Sequence, residues 1–74
     1  MPRYFFDVDD GERKVRDVTG MTLGSDDLAM KEGSTLLQTL SNLRRAEDRP
    51  GTTYVRVRDT HGHEVFTGSA HLER

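Results

Sequence analysis

Three histidines are the side chains of this chain best suited to binding a metal ion. His61 and His63 flank Gly62, and His71 follows on the C-terminal side. Three imidazoles could hold zinc or copper if they converged. Glycine at the centre of a turn would point the first two rings apart, and the sequence has no His-Glu-x-x-His pattern. We therefore expect a solvated turn here and no metal site.

Acidic side chains form a second cluster, in the first quarter of the chain. Its members are Asp7, Asp9, Asp10, Glu12 and Asp17. Their spacing does not match a calcium-binding loop, which needs alternating oxygen ligands and a terminal glutamate. Turn formation and protection of a strand edge are the predicted roles of these carboxylates.

The remaining catalytic patterns are missing from the sequence. With no cysteine, the chain has no thiolate zinc site, no disulfide and no cysteine nucleophile. It has no Gly-rich phosphate loop, no Gly-x-Ser-x-Gly elbow and no Gly-x-Gly-x-x-Gly fingerprint. No serine lies in a motif that supplies a base. We therefore expect a protein that is not an enzyme, with no catalytic residues and no cofactor.

Length and composition limit what the chain can bury. Its 74 residues are 32% hydrophobic and 32% charged, so we expect one domain over residues 1–74 with a thin core, which self-association would supplement. The net charge of −2, with both signs mixed, argues against non-specific nucleic-acid binding through a general positive field. No apolar run is long enough for a membrane span and no signal peptide is recognisable, so a cytoplasmic protein is expected.

The first half of the chain predicts a hairpin. Residues 3–8 are rich in strand formers, and Tyr4, Phe6 and Val8 share one face by the two-residue period. Residues 9–12 have turn chemistry. A second strand is predicted over residues 13–18, with Val15 pointing inward and a polar character suited to a sheet edge.

A helix should follow the loop at residues 19–24. Ser25 or Asp26 can cap it, and Pro50 with Gly51 ends the segment. Between them apolar residues recur every three or four positions, as in an amphipathic helix. Gly33 interrupts that stripe at a cost of about 1 kcal/mol relative to alanine, which predicts a close approach of the helix backbone to the sheet.

The second half predicts another hairpin and completes the fold. Strands are expected at residues 53–59 and 64–67, joined by a type I turn at 59–62, with residues 68–74 as a loosely ordered tail. The prediction is an α+β domain of order ββαββ, with a four-stranded antiparallel sheet and the helix on one face. The preferred strand order is 2-1-3-4, and the alternative pairs strands one and four in parallel.

The sheet face opposite the helix is the most informative predicted surface. Val55 and Val57 should join the first strand's apolar residues on the helix side. The other face would then collect basic and aromatic side chains: Arg3, Phe5, Lys14, Arg16, Tyr54, Arg56, Arg58 and Phe66. Such a face can be solvated, can bind a protein or a second copy, or can stack single-stranded bases. The sequence pattern of RNA-recognition sheets is missing.

Several segments resemble a known family. They are Met-Pro-Arg-Tyr-Phe-Phe-Asp at residues 1–7, Asp10-Gly11, Asp17 and Gly20 before the helix, and Val-Arg-Val-Arg-Asp at 55–59 with Gly62. The family is one of short bacterial proteins of unknown function, frequent in soil and root-nodule bacteria, whose members tend to carry alanine rather than Gly33. The resemblance covers nearly the whole chain and implies a small stand-alone cytoplasmic protein, without supplying an activity. The chain also has a fainter similarity to the N-terminal part of HicB-type antitoxins. Their characteristic loop residues and their DNA-binding appendage are not found in this sequence.

The sequence is therefore most consistent with a small interaction module that acts through its sheet face or a strand edge. Its partner would be another protein or a second copy of the chain. Weak binding of single-stranded nucleic acid on the arginine and aromatic face is the alternative.

Overall fold

Two hairpins joined by one helix build a single antiparallel sheet in the computed structural model, which describes residues 2–73. The α+β class and the antiparallel sheet with one helix are confirmed. In chain order the elements are β1 (Arg3–Asp9), β2 (Lys14–Val15), β3 (Met21–Thr22), α1 (Asp26–Ala46), β4 (Gly51–Asp59) and β5 (Glu64–Leu72).

The sheet has five strands and not the predicted four. Its order is β2-β1-β4-β5, and the additional strand β3 pairs with β1 on the same side as β2. The order thus differs from the predicted one by this extra strand. All pairings are antiparallel, so the parallel alternative is wrong.

The segment after the first turn is where the prediction of one strand over residues 13–18 fails. Only Lys14 and Val15 pair with β1, and the chain then leaves the sheet for residues 16–20 before returning as β3. Val15, predicted to point inward, is 51% exposed. Since α1 packs mainly over β4 and β5, it does not cover Val15 at the outer end of the sheet.

The helix begins and packs as its sequence predicts. Ser25 is the N-cap, and its hydroxyl accepts a hydrogen bond from the N–H of Leu28 at 3.2 Å. Gly33 is buried against the sheet. A Cβ placed there would lie 2.7 Å from Val57 Cγ2 and 2.8 Å from Phe66 Cδ2, so the predicted close approach is confirmed.

The second hairpin is longer than predicted. β5 continues to Leu72 and pairs with β4 as far as Gly51, so residues 68–72 are strand and not a loose tail. Arg74, the end of that predicted tail, lies outside the described residues. A bulge next to Arg58 places one extra residue in β5, and Phe66 lies opposite Val57.

The fully buried apolar core is small. It consists of Tyr4, Ala29, Val55 and Val57, with a ring of half-buried side chains around them. Tyr4 donates a hydrogen bond to Asp26 Oδ1 at 2.6 Å. This hydrogen bond, together with burial, raises the pKa of the Tyr4 phenol to about 12.

Arg44 fixes the C-terminal end of the helix to the sheet. It is 4% exposed, and its charge in the last helical turn is also favourable at that end of the helix. Its guanidinium donates to Thr53 Oγ1 at 3.0 Å, to the carbonyls of Arg49 and Pro50, and to the carbonyl of Asp10 at 2.7 Å. One side chain thus joins the helix, the start of β4 and the turn between β1 and β2.

Candidate interaction surfaces

The carboxylate of Asp17 closes one edge of the sheet. β2 and β3 pair with the two ends of β1 and leave its middle without a strand partner on the side away from β4. Asp17 fills that gap, since Oδ2 accepts the N–H of Phe6 at 3.1 Å while Oδ1 accepts the N–H groups of Thr19 and Gly20. We call this side, formed by β2, residues 16–20 and β3, the closed edge.

Arg58 binds the closed edge to the sheet face that lies away from the helix. Its Nε lies 2.9 Å from Asp7 Oδ2, and both side chains are largely buried. Its Nη2 donates to the carbonyl of Asp17 at 2.8 Å, and its guanidinium carbon lies 4.7 Å from the centre of the Phe5 ring. Such cation–π contact covers the aromatic face that a base or a partner would need.

The two carboxylates of this network are stabilised in their charged form. Partial burial raises the pKa of Asp7, but hydrogen bonds from Arg58 and the Asp17 N–H outweigh it and hold that pKa below its usual value. The Gly20 N–H lowers the pKa of Asp17 most, and the N–H groups of Phe6 and Thr19 add to it against the opposing effect of burial. Both groups are therefore charged near pH 7.

A shallow groove of about 560 Å³ lies beside this network. Tyr54, 50% exposed, lines it. Three cationic side chains also line it, as do two carboxylates: Lys14, Arg16, Arg56, Asp7 and Asp9. Arg56 forms a 3.5 Å ion pair with Glu64 in which both side chains are about half exposed. We call this feature the Tyr54 groove.

The eight residues predicted for the interaction face fall into three groups. Arg3, Phe5 and Arg58 lie under residues 16–20, where Arg3 donates to the carbonyl of Thr19 and the ring of Phe5 lies against Gly20. Four others line the Tyr54 groove: Lys14, Arg16, Tyr54 and Arg56.

The placement of the eighth residue, Phe66, on this face is wrong. It contacts Gly33 of the helix and pairs with Val57, so it lies on the opposite side of the sheet. The bulge in β5 is the reason, because one extra residue reverses the alternation of the side chains that follow.

The outer side of β5 is the sheet's other edge, and β5 pairs only with β4 within residues 2–73. In an antiparallel ladder a residue directs its N–H and C=O to the same side, and the side alternates along the strand. The Phe6 N–H points toward Asp17 and away from β4. Following the pairing across β4 over Phe66–Leu72 therefore leaves the outward backbone groups of β5 to Thr67, Ser69 and His71. We call this row the open edge.

The histidines lie at both ends of β5. His61 and His63 donate their N–H groups to Asp59 Oδ1, and their ring centres are 6.0 Å apart. His71 lies at the far end of the strand, where Nδ1 is 2.7 Å from Thr52 Oγ1. Among the described residues, no three potential ligands gather around a common point.

Asp17 has the roles predicted for the acidic cluster, turn formation and protection of a strand edge, whereas the central role of Arg44 was not predicted. Asp17 is followed three residues later by Gly20, a spacing typical of an aspartate that accepts N–H groups of its own turn. That signal was readable. Arg44 carries none, because only the fold brings the carbonyl of Asp10 to it.

Comparison with known proteins places the chain in a family. A family model described as "Domain of unknown function (DUF6894)" matches residues 3–71, and the chain belongs to that family. No curated protein and no solved structure matches the chain. Among the described residues, no helix combines the length and apolar character that crossing a membrane requires.

Proposed function

We propose that this protein is a small, non-enzymatic interaction module that binds an extended segment of protein chain along its open edge. The observation that carries the proposal is the row of outward backbone groups of Thr67, Ser69 and His71. An added strand would pair with these groups through main-chain hydrogen bonds, as in other cases of strand addition. A bacterial cytoplasmic setting is part of the proposal.

Three features favour the open edge over the rest of the sheet. The closed edge has its central N–H group satisfied by Asp17. The face beside it has Phe5 covered by Arg58. The open edge has neither device, and Ser69 at its centre is small and exposed. Charged side chains, proline and bulges are the usual protections of an edge strand, and Thr67 to His71 carries none of them.

Affinity capture with a matched pair of variants tests the proposal. Ser69→Pro removes an outward N–H without breaking the pairing with β4, and proline is tolerated on edge strands. Ser69→Ala keeps the N–H and removes the hydroxyl. We expect proteins captured by the wild-type chain and by Ser69→Ala to be lost with Ser69→Pro, while circular dichroism confirms that all three are folded. Equal capture by all three chains would refute binding through this edge.

A second candidate function is weak binding of single-stranded nucleic acid in the Tyr54 groove. It is favoured by the half-exposed ring of Tyr54 among Lys14, Arg16 and Arg56. Because Arg3 and Arg58 are engaged within the protein, about three phosphate contacts remain, and a log-log salt slope of about −2 is expected.

Fluorescence anisotropy with mixed-sequence DNA and RNA single strands tests this candidate. Tyr54→Ala should weaken binding by about tenfold per stacked base, and Tyr54→Phe, which keeps the ring, should not. The salt slope should be the same in all three chains. Absence of binding at about 100 μM protein in low salt would eliminate this function.

A further inference from the structure

We infer that the partner at the open edge is a second copy of this chain, arranged antiparallel about a two-fold axis that passes beside Ser69. This inference rests on the proposed function and names its occupant. In such a dimer the two β5 strands would be adjacent, and the two sheets would form one continuous sheet with both helices on the same face. The interface would be isologous, since each copy contributes the same strand.

The hydrogen-bonding pattern of β5 suits this axis. With Ser69 opposite its own counterpart, Thr67 of one copy faces His71 of the other. These three residues direct their N–H and C=O groups outward, so about six hydrogen bonds would join the two copies. Their side chains carry no charge when His71 is neutral, so two copies meet without repulsion between like charges.

Side chains on the helix side also match about this axis. Phe66 of one copy would lie opposite Leu72 of the other, and Gly68 opposite Ala70, which pairs large with large and small with small. An axis at Gly68 would instead place Phe66 opposite Ala70, a large side chain against a small one. The register centred on Ser69 is therefore favoured.

The position of α1 adds a second contact. The helix lies over β4 and β5, and Leu37 contacts β5 at Gly68, where an added Cβ would be 2.9 Å from Leu37 Cδ2. Adjacent strands are about 4.8 Å apart, so a helix above the middle of β4 and β5 would lie about 10 Å from its copy across the axis. That is the spacing of packed helices. Ser41, on the same flank as Leu37, is small enough to allow it.

The thin core gives the dimer a physical reason. Among residues 2–73, only four hydrophobic residues are fully buried, and Leu37, Leu72 and Phe66 are only partly buried. Pairing at the open edge would cover all three. Burial of apolar surface by a second copy is a common supplement in chains too short for a large core.

A single-cysteine series tests the axis directly, because the native chain has no cysteine. Residues opposite each other in a hydrogen-bonded antiparallel pair have Cα atoms about 5.5 Å apart, within the range of a disulfide. Under mild oxidation Ser69→Cys should cross-link to itself, whereas Thr67→Cys and His71→Cys should cross-link only when the two variants are mixed. Cross-linking of Thr67→Cys mixed with Ser69→Cys would move the axis to Gly68 and overturn the stated register.

Sedimentation velocity over a concentration series gives the second measurement. The wild-type chain of 8.4 kDa should approach twice that mass at high micromolar concentration. Ser69→Pro should remain monomeric and Ser69→Ala should not. Ser41→Lys should also weaken the dimer by introducing a charge between the helices, while Thr39→Lys, on the opposite flank of α1, should leave it unchanged.

The outcomes separate the dimer from the interaction module. A wild-type chain that stays at 8.4 kDa, together with no cross-linking of Ser69→Cys, overturns the dimer. If the wild-type chain captures a different protein and Ser69→Pro does not, the open edge keeps its proposed function with that protein as the partner. If Ser69→Pro changes neither the mass nor the capture, both proposals fail.

Discussion

The two edges of this sheet differ in whether their outward backbone N–H and C=O groups have partners. On the closed edge, the chain leaves the sheet for residues 16–20, and a side-chain carboxylate takes the place of the missing strand. On the open edge, β5 is regular from Phe66 to Leu72 and offers its backbone groups to solvent or to a partner. An edge that is so thoroughly satisfied is protected from unwanted pairing. This contrast is the reason for placing the proposed binding site at the open edge.

The largest loss of stability is expected from replacing Arg44, which donates a hydrogen bond to the turn between β1 and β2. Replacing it by methionine keeps the bulk of the side chain but leaves the carbonyls of Asp10, Arg49 and Pro50 without a donor. Unsatisfied buried groups cost about 1–3 kcal/mol each, so we expect a loss of roughly 3–4 kcal/mol, enough to unfold much of so small a domain. Urea denaturation measures it.

Arg45 is the control for that experiment, because it is the exposed neighbour in the same helical turn. Arg45→Met should change the free energy of unfolding by less than about 0.5 kcal/mol. Equal losses in the two variants would mean that the buried contacts of Arg44 do not stabilise the fold.

The second largest loss of stability is expected from replacing Asp17, and it tests the role of this carboxylate in the closed edge. In Asp17→Ala, the N–H groups of Phe6, Thr19 and Gly20 lose their acceptor, and we expect a loss of about 2–3 kcal/mol. Asp17→Asn can keep an oxygen toward the turn while its amide nitrogen faces the Phe6 N–H. The asparagine variant should therefore lose about half as much in the same urea titration. Wild-type stability in Asp17→Ala would contradict the role of this carboxylate.

The sequence predicts the structure of the two edges to different extents. The pattern of Tyr4, Phe6 and Val8 fixes which side of β1 is apolar, and Ser25 correctly marks the start of α1. The two-residue strand Met21–Thr22 leaves no periodic signal, since a period needs more residues than the strand contains. The sequence pattern therefore predicts one strand over residues 13–18 followed by a loop, and β3 is missing from that prediction.

The predicted length of β5 is wrong for a different reason. Gly68, Ser69 and Ala70 have low strand propensity and read as a tail, yet they pair with Val55, Tyr54 and Thr53 of a buried neighbour. Pairing with a central strand outweighs intrinsic preference. Phe66 was placed on the wrong face because its orientation depends on a bulge. Of the predicted site, the Tyr54 groove is the part that the structure keeps exposed.

Acid should weaken the closed edge through the carboxylates that hold it. The pKa values of Asp7 and Asp17 are lower in the folded chain than their ordinary values, so both groups stabilise the fold fully above about pH 4. That stabilisation is lost as pH falls through their folded-state pKa values. Urea titrations between pH 7 and pH 2 should show stability falling in acid, less steeply in Asp17→Asn. An unchanged pH profile in that variant would contradict the assignment.

Amide hydrogen exchange should show the difference between the two edges in the wild-type chain, residue by residue. At low protein concentration, the outward amides of Thr67, Ser69 and His71 should exchange freely, while those of Gly68 and Ala70, which face β4, should be slower by about a thousandfold. Phe6 should be as slow as these, although it faces an edge, because its N–H donates to Asp17. In Asp17→Asn, the Phe6 amide should exchange fast and the amides of β5 should not change.

At high concentration the outward amides of β5 should exchange more slowly as the two copies pair. Slow exchange of Ser69 at every concentration would mean that its N–H has a partner within the single chain and that the open edge is not open.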